Sequence, residues 1–271
     1  MRYREPAVAG RFYPDNPGDL IQQIASYFDQ PSHSTIVPKA IIAPHAGYFY
    51  SGAIAAAAYR LLANKKPAYN KVLLLGPSHY VGLRGAALPR SDRFITPMGE
   101  VAIDRELVEA LLYQRLAIES DTAHQQEHAL EVQLPLLQYC LSDFSLVPVV
   151  VGDSGSEAIS KLIKATLSYA PDRPAPLVVV SSDLSHYHSY PLANRLDQET
   201  RSTILALDTH LTSQQACGCH AINGLLDYGK QQGWQIQCVS HANSGDIMAH
   251  NEHRAPRDSE EVVGYASFVL Y

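Results

Sequence analysis

The chain has 271 residues, 46% of them hydrophobic and 18% charged, which excludes disorder and leaves room for one large α/β domain or two smaller ones. Its formal net charge is -6, from 21 Lys and Arg against 27 Asp and Glu. No basic block stands out, so neither nucleic acid nor an anionic membrane is an expected partner.

Met1 to Asp19 has no signal-peptide pattern, and no apolar run approaches membrane-spanning length. The four cysteines, Cys140, Cys217, Cys219 and Cys238, lack the paired spacing of a zinc site. These features predict a soluble cytoplasmic protein with reduced thiols.

Pro6 to Pro17, rich in Gly and Pro, reads as an irregular arm whose Arg11, Phe12 and Tyr13 either line a cleft or anchor the terminus. Asp19 to Phe28 has helical spacing of Leu20, Ile21, Ile24 and Phe28. A loop over Pro31 to Val37 leads to a short apolar strand, Lys39 to Ala43. Ser51 to Leu62 reads as a helix and Asn64 to Asn70 as a polar connector. Val72 to Leu75 is the next strand, so the chain begins as a strand–helix–strand unit of a parallel sheet.

Val81 to Met98, broken by Gly82, Gly85, Pro89 and Pro97, reads as irregular or as short hairpin strands. Helices are expected at Asp104 to Leu116 and at Ala129 to Tyr139, where Pro135 either starts or kinks the second one. Ser145 to Val151 is a strand in which Pro148 favours an edge or a bulge. A helix over Ser156 to Leu167 precedes the strand Leu177 to Val180. Leu192 to Leu207 and Ala216 to Tyr228 read as helices, and Trp234 to Val239 and Val262 to Leu270 as strands. His241 to Asp258 reads as a polar connecting segment, and no domain linker appears anywhere.

Three of these strands each deliver a histidine just past their end: His45, His79 and His186. In open α/β sheets ligands bind at that edge, and three neutral imidazoles there suit one transition metal. Asp183 precedes His186 closely enough to orient an imidazole, take a proton or join the metal sphere; an Asx turn or helix cap is its structural alternative. Cys217-Gly218 offers a thiol as a ligand or redox group. His124-Gln125-Gln126-Glu127-His128 matches the short HxxEH pattern of inverted zinc peptidases, the weakest of the readings. His124 and His128 are otherwise acid–base candidates for the three-histidine cleft.

These motifs together resemble the Memo family, related in fold to class III extradiol ring-cleaving dioxygenases. The likeness runs through Ala9-Gly10-Arg11-Phe12-Tyr13-Pro14, PHAGYFYSG at Pro44 to Gly52, LGPSHY at Leu75 to Tyr80 and EHALEVQLPLLQ at Glu127 to Gln138. It continues through SSDLSHY at Ser181 to Tyr187, Cys217-Gly218, Asn243-Ser244-Gly245-Asp246 and VVGYA at Val262 to Ala266. The resemblance implies one α/β domain over residues 1–271, with a central mixed, largely parallel sheet flanked by helices. It implies His45, His79 and His186 as metal-site residues, with Asp183 and Cys217 beside them. It further implies Fe(II), with copper as the alternative, and redox chemistry on an unspecified small molecule or peptide. Radical SAM and AMMECR1-like proteins are the partners it suggests for microbial members. A third imidazole in place of the metal-binding carboxylate of the ring-cleaving enzymes argues against efficient catechol opening. A peptide-binding or assembly role for the same cleft is the competing expectation. After Cys217-Gly218 this chain has Cys219-His220-Ala221, where relatives commonly carry an Arg-containing, Pro-rich continuation.

Overall fold

The computed structural model describes residues 1–29, 34–62, 69–141 and 143–271. In chain order the first elements are β1 (Tyr3–Arg4), α1 (Pro17–Phe28), β2 (Ala40–Ala43), α2 (Tyr48–Tyr59) and β3 (Lys71–Pro77). Next come β4 (Ala86–Leu88), β5 (Arg93–Thr96), β6 (Gly99–Ile103), α3 (Arg105–Tyr113) and β7 (Ile118–Glu119). Three short helices follow, α4 (Asp121–Gln125), α5 (His128–Glu131) and α6 (Leu134–Cys140), and then β8 (Ser145–Val151) and α7 (Ser156–Leu167). The chain continues through β9 (Leu177–Ser181), β10 (His186–Ser189), α8 (Tyr190–Leu205) and α9 (Cys219–Gln231). It closes with β11 (Ile236–Asn243), α10 (Ser244–Asn251) and β12 (Glu261–Leu270).

The apolar runs of the sequence form the middle of one mixed sheet, in the order β1-β5-β6-β8-β3-β9-β2-β12-β10. β8, β3, β9 and β2 run parallel to one another, and β12 closes antiparallel on β2. Ile41, Leu73, Leu74 and Val178 to Val180 are fully buried, because helices cover both faces of a parallel sheet. The parallel register leaves the carboxyl ends of β2, β9 and β3 side by side, with Ala43 opposite Ser181. Two of the three expected histidine-bearing turns, after β2 and β3, thus open on the same edge of the sheet as the loop leading to His186.

Four local expectations differ from the structure. Ala129 to Tyr139 is two helices rather than one, with Val132 and Gln133 between them. Pro135 sits in the first turn of α6, where its missing N–H costs nothing, so it starts a helix rather than kinking one. Pro148 lies in an interior strand, opposite Leu74 of β3. On its other flank β8 pairs with β6 at Ser145–Leu146 and with β4 at Val150–Val151, leaving a gap where a proline costs no ladder bond. The polar segment after His241 contains α10, begun by a capping box in which Asn243 and Asp246 each accept the other's backbone N–H. The helix expected at Ser51 to Leu62 begins earlier, at Tyr48.

Residues 31–33 of the loop at Pro31 to Val37 and residues 64–68 of the connector at Asn64 to Asn70 lie outside the described residues. Among the described residues, no helix is long and apolar enough to cross a membrane. All four cysteines are free thiols.

The N-terminal arm is tied down by one carboxylate. Glu131 is fully buried and pairs with the guanidinium of Arg4. It also accepts the Ala7 and Val8 N–H groups at 2.7 and 2.9 Å and the Tyr13 hydroxyl at 2.6 Å. Such saturation of a buried carboxylate is what makes its burial tolerable.

Candidate metal centre

His45 follows β2 directly and is buried, at 2% exposure. Its backbone N–H donates to Asp183 Oδ1 at 2.8 Å, which ties the β2 turn to the β9 turn. Its Nδ1 lies 2.9 Å from Ser181 Oγ, the last residue of β9. Its Nε2 faces Cys217 Sγ at 3.4 Å and Asp183 Oδ2 at 3.9 Å.

His79 follows β3 and is gripped by Glu127. One carboxylate oxygen accepts the His79 backbone N–H at 2.7 Å, and the other lies 2.8 Å from Nδ1. Glu127 is itself the N-cap of α5, accepting the Ala129 N–H at 2.9 Å. Burial works against the Glu127 charge, yet the hydrogen bonds and charge of His79, with the Ala129 N–H, outweigh it and bring the carboxyl down to about 2. An ionised carboxylate accepts only, so His79 carries its proton on Nδ1 and leaves Nε2 free for a ligand role.

The third imidazole of the group is His128, the first residue of α5. Its ring lies 4.7 Å from that of His79, nearly parallel at 21°, and 5.4 Å from that of His45. One ligand atom from each of His45, His79 and His128 lies within 4.8 Å of the others. Gly76 permits this approach. A Cβ there would stand 2.9 Å from Leu130 Cδ2 and 3.2 Å from the Ala129 Cβ, so glycine lets α5 press onto the end of β3 without displacing either side chain. Burial, then the neighbouring imidazoles, lowers His128 to about 4; burial and His79 lower His45 to about 3. Both rings are therefore neutral near pH 7, the state in which imidazole binds metal. With all three Nδ1 atoms engaged from outside, that of His128 by the Tyr80 hydroxyl at 3.2 Å, and the imidazoles converging, the donor set fits a transition metal.

The other expected residues distribute around this core. Asp183 is buried beside His45, and burial raises its carboxyl despite the His45 N–H it accepts. Cys217 also lies at the centre, its sulfur accepting the Asp183 N–H at 3.3 Å, and burial pushes its thiol up. Gly218 is required here as well, since a Cβ would stand 2.7 Å from that of Ser182 and 2.8 Å from the Ser181 carbonyl oxygen.

His186 starts β10 and is not in the three-imidazole group, although it lies close enough to act electrostatically on His45 and Asp183. The register breaks between His186 and His188, where Tyr187 takes a left-handed φ of 58° and turns outward. Phe12 packs on His128 with ring centres 4.9 Å apart, whereas Tyr13 is buried on Glu131 and Arg11 is exposed, bonded to the Ala7 carbonyl.

His124 points elsewhere. Its Nε2 lies 3.0 Å from the Ala87 carbonyl, and it lines a separate cleft of about 620 Å³ with Arg2, Ser91 and Gln125. The HxxEH run is split between α4 and α5, so its two histidines do not stand one turn apart on a single helix. Sequence reasoning placed His128 among acid–base candidates and missed it as a member of the imidazole group. The signal available was its adjacency to Glu127, the residue that orients His79.

Comparison with known proteins agrees with the fold and the motifs. A family model described as Memo-like protein matches residues 4–269. A MEMO1 family protein of Thermoplasma volcanium is 33% identical, with 98% of this chain and 97% of the relative covered. One of Archaeoglobus fulgidus is likewise 33% identical over 98% of this chain and 99% of its own. One of Pyrobaculum aerophilum is 35% identical, with both chains covered completely at 100%. Among solved structures, an uncharacterized protein from Escherichia coli K12 superposes with a TM-score of 0.50 at 10% identity, covering 85% of this chain and 98% of that one. At that identity the likeness speaks to fold alone. With a family match spanning nearly every residue and relatives a third identical end to end, the chain belongs to the Memo-like family.

Proposed function

We propose that this chain is a non-haem metal-binding protein that uses Fe(II) for redox chemistry, with copper as the alternative metal. The observation that supports this is the convergence of His45, His79 and His128 at one sheet edge, with ligand atoms within 4.8 Å of each other. Imidazoles suit iron, copper or zinc, and the thiol of Cys217 lies beside them as a further donor that can itself be oxidised. A bound Fe(II) would supply an electron-pair acceptor and a one-electron redox couple. The chain's own residues do the rest. Glu127 orients His79, Asp183 brings a carboxyl beside the ligands, and Phe12 shields one side of His128.

The test is metal content after anaerobic purification, compared across single alanine variants at His45, His79, His128 and His186. Loss of iron in the first three, with retention in His186→Ala, is the expected pattern. Loss in His186→Ala but not in His128→Ala would restore the ligand set implied by family resemblance. Equal iron and copper occupancy in the native protein and His79→Ala would reject an essential ligand role for His79, and a native protein that retains neither metal and takes up neither when loaded would end the metal-centre reading.

A second reading is a peptide-binding or assembly role for the same edge. It is favoured by Phe49 and Tyr50 in the first turn of α2, Tyr80 after β3 and Tyr187 in β10, exposed by 55%, 36%, 57% and 74% and placed beside the histidines in the chain. Exposed aromatics of this kind are enriched where proteins meet partners.

A further inference from the structure

Two carbonyl oxygens determine where the His45 proton sits. Ala129 O lies 2.6 Å from Ser181 Oγ. A carbonyl has no proton to give, so the single hydrogen of the hydroxyl goes to it. Gln133 constrains the same oxygen from the other side. Its Oε1 accepts the Tyr59 hydroxyl at 2.8 Å. Its Nε2 donates to Pro44 O at 2.9 Å, with the remaining N–H directed to Ser181 Oγ at 2.8 Å. Ser181 has then used its hydrogen and one lone pair. What remains for His45 Nδ1, 2.9 Å away, is the second lone pair, and only an N–H can use it.

We infer that Ser181 is a positioning residue that locks His45 in the Nδ1–H tautomer and so presents the Nε2 lone pair to the centre. The fold supplies the lock by register. Ala43 pairs with Ser181 across β2 and β9, which sets His45 beside that hydroxyl. The break between α5 and α6 brings Gln133 to the same point. The lock opposes a real competitor. Asp183 Oδ2 lies 3.9 Å from Nε2 and would hold a proton there if His45 were free to choose. The consequence for metal affinity rests on the metal-binding reading above; the tautomer belongs to the metal-free chain.

The experiment separates the two. Two-bond 1H–15N correlation spectra of the metal-free protein at pH 7.5 report which His45 nitrogen carries hydrogen. The expected result is a protonated Nδ1 in the native protein and in Ser181→Thr, with the proton moved toward Nε2 in Ser181→Ala. Fe(II) affinity, measured anaerobically by chelator competition, is expected to fall by about ten- to a hundredfold in Ser181→Ala and to be kept in Ser181→Thr. An unprotonated Nδ1 in the native protein overturns the inference. So does an unchanged tautomer in Ser181→Ala, or a Ser181→Thr protein that behaves like Ser181→Ala. Native protein that shows the Nδ1–H tautomer and yet binds neither Fe(II) nor copper would refute the metal reading and leave the tautomer assignment standing.

Discussion

Burial keeps three imidazoles from taking a proton, and that has a measurable price in acid. It holds His45 to about 3 and His124 and His128 to about 4, against 6.5 for an unperturbed imidazole. Below pH 6.5 the unfolded chain takes up protons that the native chain refuses, so native stability falls with pH from there toward 4. Each imidazole adds up to about 1.4 kcal/mol per pH unit to that slope. Glu127 acts lower down. Its folded value of about 2 means its contribution is present above 4.5 and is lost only as pH falls toward 2. Urea midpoints are therefore expected to drop between pH 7.5 and 5, ahead of any carboxylate transition. His124→Gln, which can still donate to Ala87 O, should flatten the slope by about one proton; a pH-independent midpoint would refute the assignment. His45 and His79 were legible because each ends an apolar run, which is a feature of chain order. The place of His128 was not, because it depends on how closely a short helix can approach β3, a fact settled by Gly76 and Leu130 in space.

The elements that carry the centre were readable where an apolar run met a hard stop. β2, β3 and β9 end at such stops, and all three were read within a few residues of their observed limits. The split of α5 from α6 was not read, because Ala129 to Tyr139 keeps an apolar helical pattern straight through it. Only Pro135 hinted at the restart. α10 was missed because its composition is polar, although the Asn243 and Asp246 of its capping box were in plain view. The Cys217 turn makes a sharp prediction at this scale. Ser182 and the Ser181 carbonyl leave no space for a Cβ at Gly218, and neither is the free end of a flexible side chain. Gly218→Ala is expected to cost about 1–3 kcal/mol in urea unfolding, the usual penalty of overpacking. It should also speed alkylation of Cys217 under native conditions, mapped by mass spectrometry. Unchanged stability together with unchanged labelling would show that the turn adapts.

Across the whole molecule, the centre draws on residues from the turns after β2 and β3, from α5 and from the loop before α9, so metal binding should act as a staple. At a free metal concentration about a thousandfold above its dissociation constant, the native state gains about 4 kcal/mol by mass action. For a chain of this size that corresponds to a rise in melting temperature on the order of 10 °C, reversed by chelator and absent in His79→Ala. Calorimetry with and without Fe(II) checks it, and identical transitions would count against a site built across several elements. The largely parallel sheet was legible from the alternation of strands and helices, but its strand order was not, since long-range pairing leaves no local mark. That order carries a consequence for synthesis. β2 is made early, yet among the described residues its neighbours in the sheet are β9 and β12, both translated long afterward. The nascent strand therefore leaves the ribosome as an unpaired, fully apolar segment and must be sheltered until most of the chain exists. The centre it supports can form only after β9 and β12 are made, so on the metal-binding reading loading would follow translation, and a pause before β9 would leave this apolar stretch exposed longest.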